Sequence, residues 1–270
     1  MTNKEKEILK QRVQNLILTV KKQESMTTNL KEQDRHLETL ELNQDTEYKC
    51  LKCKDRLFIE TDEGFKECKC RKLRIAENIL KNSGVSEEFR KLKFDNFNYQ
   101  VDSSVAKAFT KAIEYSNYFE QIREIRRNSI IFMGQVGSGK THLSLAIANS
   151  LMNRSISVIY MPYRDSMTLI KQNIMDEETY RREVGKYKSA KVLLIDDLYK
   201  GNITNSDINI MFEIINYRYL NKMPLIVSTE KNFDELLEID EAIGSRLIEM
   251  SKNYLIELKG KRLNYRIYGG

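Results

Sequence analysis

Twelve residues constrain this chain more than any others: Ile130-Ile131-Phe132-Met133-Gly134-Gln135-Val136-Gly137-Ser138-Gly139-Lys140-Thr141, an apolar run that breaks into a glycine-rich turn and ends on Lys-Thr. Gly134, Gly139, Lys140 and Thr141 fit the phosphate-loop pattern G-x-x-x-x-G-K-[ST]. The apolar run predicts a buried strand, and His142 through Ala148 predicts a helix. Between them the glycines let successive backbone N–H groups, from Gly134 through Gln135, Val136, Gly137, Ser138 and Gly139 to His142, point at phosphate oxygens, while the helix N-terminus adds partial positive charge. In such a loop Lys140 reaches the β- and γ-phosphates and the Thr141 hydroxyl ligates Mg²⁺.

Downstream, Lys191-Val192-Leu193-Leu194-Ile195-Asp196-Asp197 is an apolar run ending in two carboxylates. At the exit of a buried strand beside a phosphate loop, that pair suits Mg²⁺–nucleotide chemistry: Asp196 to hold the metal through its water shell, Asp197 to orient or deprotonate the attacking water. Aspartate is one methylene shorter than glutamate, so slow basal hydrolysis is expected.

All four cysteines fall in one short window, Cys50-Leu51-Lys52-Cys53 and Cys68-Lys69-Cys70. A C-x-x-C knuckle followed after a hairpin-length gap by a second close pair has the spacing of a zinc ribbon, and Arg56–Glu60 and Gly64–Glu67 alternate around a turn as a hairpin does. The second pair is C-x-C, which tightens one corner of the site. Four thiolates leave no open coordination position, so the expected Zn²⁺ is scaffolding. Ribbons of this kind serve nucleic acid or protein partners, and the residues do not choose between them. The only histidines, His36 and His142, lie far apart, which argues against a histidine-based metal or catalytic centre.

The 270 residues allow one large or two modest domains. Ile8, Val13, Leu16, Ile17 and Val20 are spaced as on an amphipathic helix, followed by a weaker set at Leu30, Leu37 and Leu40. This arm has too few apolar residues for a core of its own and reads as a solvated tail or a partner-docking arm. A basic helix from Arg71 to Leu80 ends at Asn82-Ser83-Gly84, and Ser86 is placed to cap the next. We set the domain boundary at about residue 90: residues 1–90 form the arm and Cys₄ module, residues 91–270 the α/β domain. In the latter, a helix over Val105–Glu124 precedes the phosphate-loop strand. Strands at Ser157–Met161, Lys191–Asp197, Pro224–Glu230 and Tyr254–Leu258 then alternate with helices, which predicts a parallel sheet covered on both faces. The net charge of +6 permits a polyanionic partner without demanding one. No run approaches the ~18 apolar residues of a membrane span, and Met1–Glu7 carries both charges without a signal-like apolar core, so we expect a cytoplasmic protein with no membrane partner.

Taken in order and spacing, Gly134–Thr141, Val192–Asp197, the strand ending Ser228-Thr229-Glu230, and Ile243-Gly244-Ser245-Arg246-Leu247 resemble the motifs of AAA+ ATPases. The chain is most similar to the DnaC/DnaI-type loaders of the replicative helicase, including phage versions, and to their relatives the IstB-type transposition ATPases. The likeness covers about residues 48 to 258. It implies ATP as the nucleotide, ATP hydrolysis as the activity, a DnaB-type helicase and single-stranded DNA as partners, and docking through the arm and zinc module. It also implies that Arg246 is an arginine finger, projecting into the ATP site of a neighbouring copy and so requiring self-association. Where such proteins usually carry a γ-phosphate-sensing asparagine, this chain has Ser228, Thr229 and Glu230. The chain stops soon after its last strand, which implies that the helical lid of many AAA+ proteins, and its second sensor arginine, is absent. By the same likeness, Tyr163, Arg164, Lys171, Tyr199 and Lys200 are candidates for gripping DNA, an aromatic beside a cation suiting stacked bases and phosphates.

Overall fold

The computed structural model describes residues 48–61, 64–260 and 263–268; the expected N-terminal arm lies outside them. A two-stranded antiparallel hairpin, β1 (Phe58–Thr61) and β2 (Gly64–Glu67), opens the described chain. Cys68 and Lys69 then lead into α1 (Cys70–Asn82), and Gly84, at φ +75°, takes the left-handed conformation that ends it. The Ser86 hydroxyl accepts from Phe89 N at the start of the short α2 (Glu87–Arg90), as the sequence predicted. A single 3₁₀ turn (Phe94–Asn96) and an extended stretch follow, before Asp102 caps α3 (Ser103–Ile122).

The remaining chain is a five-stranded, wholly parallel sheet: β3 (Ile130–Gly134), β4 (Val158–Pro162), β5 (Val192–Leu198), β6 (Leu225–Thr229) and β7 (Leu255–Leu258), in the order β4-β5-β6-β3-β7. Alternate residues of each strand feed two separate apolar layers, as a strand period of two requires. Ile130, Phe132, Leu194 and Ile226 pack under α3 and α4 (Lys140–Asn153), together with Val85, Phe94 and Phe97. Ile131, Met133, Leu193 and Val227 face the opposite layer, which is covered by α5 (Tyr163–Gln172), α6 (Glu177–Ser189), α7 (Asn205–Leu220), α8 (Phe233–Ile239) and α9 (Glu241–Met250). The helix α4 is buried on nearly every face, so the loop before it rests on a rigid support.

Two details position the site. The parallel register between β5 and β6 breaks between Ile195 and Leu198, and Asp197 there has φ +57°. That irregularity re-aims two successive carboxylates at the strand's end, a use bulges often serve. Below it, the wholly buried Arg218 donates to the carbonyls of Tyr187, Ala190 and Pro224, tying the entries of β5 and β6 together.

Candidate nucleotide-binding site

The phosphate loop runs from the carboxyl end of β3 into α4, at the sheet edge where crossovers of a parallel sheet leave a crevice. Its glycines are fixed by close approaches. A Cβ on Gly134 would lie 2.2 Å from the Leu258 carbonyl oxygen, one on Gly139 would lie 2.7 Å from the Phe97 ring, and both residues have positive φ. Gly137, which the motif leaves free, is equally constrained, because Asn264 presses against it and Tyr265 N donates to its carbonyl at 2.9 Å.

Inside the loop the buried Lys140 ammonium donates to the carbonyls of Gly134 (2.8 Å) and Gln135 (2.7 Å), and Ser138 Oγ also donates to Gln135 O (2.8 Å). Burial pushes the Lys140 pKa down, while Glu230 and Asp197 act to keep it charged. Gln135 N is anchored on Leu258 O, and Val136 stands exposed at the loop tip. The His142 ring meets Phe97 edge on at 5.0 Å, and its Nε2 lies 2.9 Å from Lys93 O.

Next to this cradle, the Thr141 hydroxyl donates to Asp196 Oδ1 at 2.9 Å, Ser228 Oγ donates to the same oxygen, and the Tyr160 hydroxyl donates to Oδ2 at 3.2 Å. Burial raises the Asp196 pKa, and the Ser228 bond opposes that rise. Ser228 Oγ also accepts from Asp197 N at 2.9 Å. A hydroxyl and a carboxylate placed together beside a phosphate cradle are the hard-oxygen donors Mg²⁺ prefers, so Thr141 and Asp196 fit that ion. Asp197 Oδ2 accepts from Lys200 Nζ at 2.8 Å, and Lys200 is also 3.1 Å from Glu230 Oε1. Of the three residues at the sensor position, Ser228 is spent on the two aspartates and Thr229 is buried with its hydroxyl on Leu198 O. Only Glu230 faces the cleft.

The cleft above the loop has a volume of about 390 Å³. Its far wall was not legible in the sequence. Phe97 and Val101, from the stretch between the 3₁₀ turn and α3, form one side, and Leu263, Tyr265 and Arg266 form the other. The latter two belong to the short α10 (Tyr265–Tyr268). This apolar slot beside the phosphate cradle has room for a nucleoside. No local spacing links these residues to the loop.

The four cysteines meet at the base of the hairpin, with every pair of sulfur atoms within 4.8 Å, Cys50–Cys68 at 3.8 Å and Cys53–Cys70 at 3.4 Å. Tetrahedral Zn–S bonds of ~2.3 Å set sulfur atoms about 3.8 Å apart, so the quartet fits Zn²⁺. The Asp55 carboxylate accepts from Cys50 N at 2.9 Å and from Arg74 of α1, holding the knuckle against the helix.

Arg246 lies outside the cleft. Its guanidinium donates to Ala242 O at 2.7 Å and rests near the rings of Phe212 (5.4 Å) and Tyr219 (5.3 Å), on the α7–α9 face. Gly244, two residues earlier, allows α8 and α9 to approach, since a Cβ there would lie 2.9 Å from Leu236 O. The DNA-contact candidates fare differently. Tyr163 and Tyr199 are core residues, packed edge to face at 5.7 Å, and cannot stack on bases. The aromatic–cation pattern misled because each tyrosine follows a strand end and turns under it. Lys171 is paired with the buried Asp207 (2.8 Å), Lys200 belongs to the cleft, and Arg164 alone is an exposed cation, beside Gly201. Among the described residues no helix is long and apolar enough to cross a membrane.

The protein has recognisable relatives. Phage-like element PBSX protein XkdC of Bacillus subtilis (strain 168) is 37% identical over 235 residues, covering 82% of this chain and 87% of that one. The replicative helicase loader DnaC of Escherichia coli (strain K12) is 24% identical over 174 residues, 64% of this chain and 68% of that one. Among solved structures, a crystal structure of DnaI superposes with a TM-score of 0.54 at 20% identity, covering 67% of this chain and 94% of the other, so the α/β fold is that of the AAA+ DnaC and DnaI proteins. The model of the IstB-like ATP binding proteins matches residues 36–256, and the chain belongs to that family.

Proposed function

We propose that this protein is an ATP-dependent loader of a replicative, DnaB-type helicase onto single-stranded DNA. The observation that carries the ATPase part is the meeting of Thr141, Asp196 and Asp197 beside a preformed phosphate loop. Loop amides and Lys140 bind the triphosphate, and Lys140 exchanges its two loop carbonyls for phosphate oxygens. Thr141 and Asp196 hold Mg²⁺, which when bound offsets charge on the β- and γ-phosphates. Asp197 orients the attacking water. Arg246, away from its own cleft, is free to serve a neighbouring copy, which ties hydrolysis to self-association. The likeness to DnaC supports helicase loading, and hydrolysis is then coupled to helicase release. The arm and the Cys₄ module, the latter holding Zn²⁺, serve as the docking part. The alternative is an IstB-like ATPase that remodels duplex DNA in transposition, or a zinc-dependent binding module in which nucleotide is a passive switch.

Two measurements test this reading. Lys140→Ala is expected to abolish ATP binding by calorimetry, and near-normal affinity overturns the site assignment. Candidate replicative helicases are expected to be retained by the immobilised protein and released on hydrolysis. Retention that ignores ATP, with duplex DNA bound as well as single strands, favours the transposition reading.

A further inference from the structure

The cation at the open side of the cleft has no role in the mechanism so far. Lys200 sits three residues past Asp197 in a turn that the fold holds firmly: Asp197 and Tyr199 both have positive φ (57° and 59°), Tyr199 is wholly buried, Lys200 N donates to Asp197 O at 3.0 Å, and Thr229 Oγ1 fastens Leu198 O. Left-handed conformations at two non-glycine residues are costly and persist only where surrounding structure imposes them. The turn sends the Lys200 ammonium back across the strand ends to bridge Asp197 (2.8 Å) and Glu230 (3.1 Å), both of which line the cleft with it. Glu230 in turn occupies the position after β6 where the sequence lacks an amide sensor.

We propose that Lys200 is a γ-phosphate-binding residue of the nucleotide site, carried there by Glu230, and that this pair does the work of the missing amide. The inference rests on the ATP-binding reading above. Two carboxylates (Asp197, Glu230) line the cleft with the cations Lys140, Lys200 and Arg266, and both carboxylates are held by Lys200, so an incoming terminal phosphate meets them unless that ammonium turns to it. Lys140 serves the phosphates from within the loop. Lys200, about one third exposed and held by side-chain contacts alone at its tip, is the group free to exchange Asp197 for a terminal phosphate oxygen. The exchange also releases the Asp197 carboxylate to accept a water. Because ADP offers no terminal oxygen there, Lys200 discriminates ATP from ADP, whereas Lys140 binds both. Glu230 is a positioning residue: it keeps the ammonium at the cleft when Asp197 lets go.

The test is the ratio of ATP to ADP affinity, measured by calorimetry in Mg²⁺ buffer on the full chain, for wild type, Lys200→Met, Lys200→Arg and Glu230→Gln. A charge-assisted hydrogen bond is expected to contribute roughly tenfold to a hundredfold. Lys200→Met should therefore lose ATP affinity by that factor with ADP affinity within about threefold of wild type, which also shows that the variant is folded. Lys200→Arg should recover part of the ratio, and Glu230→Gln should lower it less than Lys200→Met does. An unchanged ratio in Lys200→Met, or equal loss for both nucleotides, overturns the proposal while leaving the phosphate-loop reading intact. Wild-type protein that binds neither nucleotide overturns the ATP-binding reading itself.

Discussion

Ser228→Ala removes one oxygen atom, yet it should be among the more damaging single changes in the sheet. The Ser228 side chain is wholly buried, donates to Asp196 Oδ1 and accepts from Asp197 N. Losing a hydrogen bond to a carboxylate costs ~1.5–3 kcal/mol, and an amide left without an acceptor costs ~1–3 kcal/mol, taken here near its lower end because Asp197 is partly exposed. The cavity left by a hydroxyl is negligible. Asp196 can relieve part of the loss by taking a proton, since burial already favours its neutral form. The expected destabilisation is therefore about 3 kcal/mol, or a fall in Tm of ~6–12 °C at the usual ~2–4 °C per kcal/mol for a domain of this size. Guanidinium unfolding of the nucleotide-free protein measures it. In an Asp196→Asn background the same serine change should cost ~1 kcal/mol less, because the acceptor no longer carries charge. A loss below ~0.5 kcal/mol in the wild-type background, or none of the expected coupling to Asp196, refutes the view that Ser228 belongs to the acid pair.

Asp196→Asn alone should stabilise the nucleotide-free, magnesium-free protein at neutral pH, by on the order of 1 kcal/mol or a few degrees in Tm. The sign follows from the raised pKa: the folded state favours the protonated acid, so wild type loses stability as pH rises through the folded pKa and matches the asparagine variant below the unfolded one. Melting curves from pH 7 down to the carboxylate range check it, and a gain that does not shrink on acidification contradicts it. Chelation of the thiol-reduced protein should release about one zinc per chain and collapse protection of the hairpin amides in hydrogen exchange, with ATP affinity unchanged. Zinc-free protein whose hairpin amides stay protected excludes a structural metal there. Arg246→Ala should leave ATP binding intact and cut self-association-dependent phosphate release by ~10³-fold or more. Turnover equal to wild type removes the finger role.

Much of the sheet was legible because its signals are local. Unbroken apolar runs bounded by Pro162, Asp196-Asp197 and Pro224 predict buried strands, and the Ser86 cap and Gly84 stop lie where capping chemistry puts them. The phosphate loop and the acid pair were readable for the same reason, since each is a short motif attached to a strand end. The apolar wall of the cleft was not. Phe97 and Tyr265 reach Gly139 and Gly137 across long stretches of chain, and no periodicity in the sequence carries contacts of that range. Tyr163 and Tyr199 show the opposite failure. A tyrosine next to a cation looks the same in a sequence whether its ring faces solvent or core, and the turn geometry that buries both rings appears only in the backbone.

That geometry also joins the cysteine module to the acid pair. The helix α1 begins at a thiol of the quartet, Cys70, and runs without a break to Asn82. The next carbonyl, of Ser83, accepts from Tyr160 N at 2.7 Å, so the end of the helix is bonded to β4 at its open edge. The hydroxyl of that same Tyr160 donates to Asp196, and its ring meets Phe89 edge to face at 5.7 Å, on the wall of the cleft. One residue thus bonds through its backbone to the helix that starts at Cys70 and through its side chain to the carboxylate that suits Mg²⁺. A cation bound at Asp196 would have to share the carboxylate with Tyr160. The cysteine module is therefore fastened to the carboxylate side of the site, and Tyr160→Phe cuts only the side-chain half of that connection.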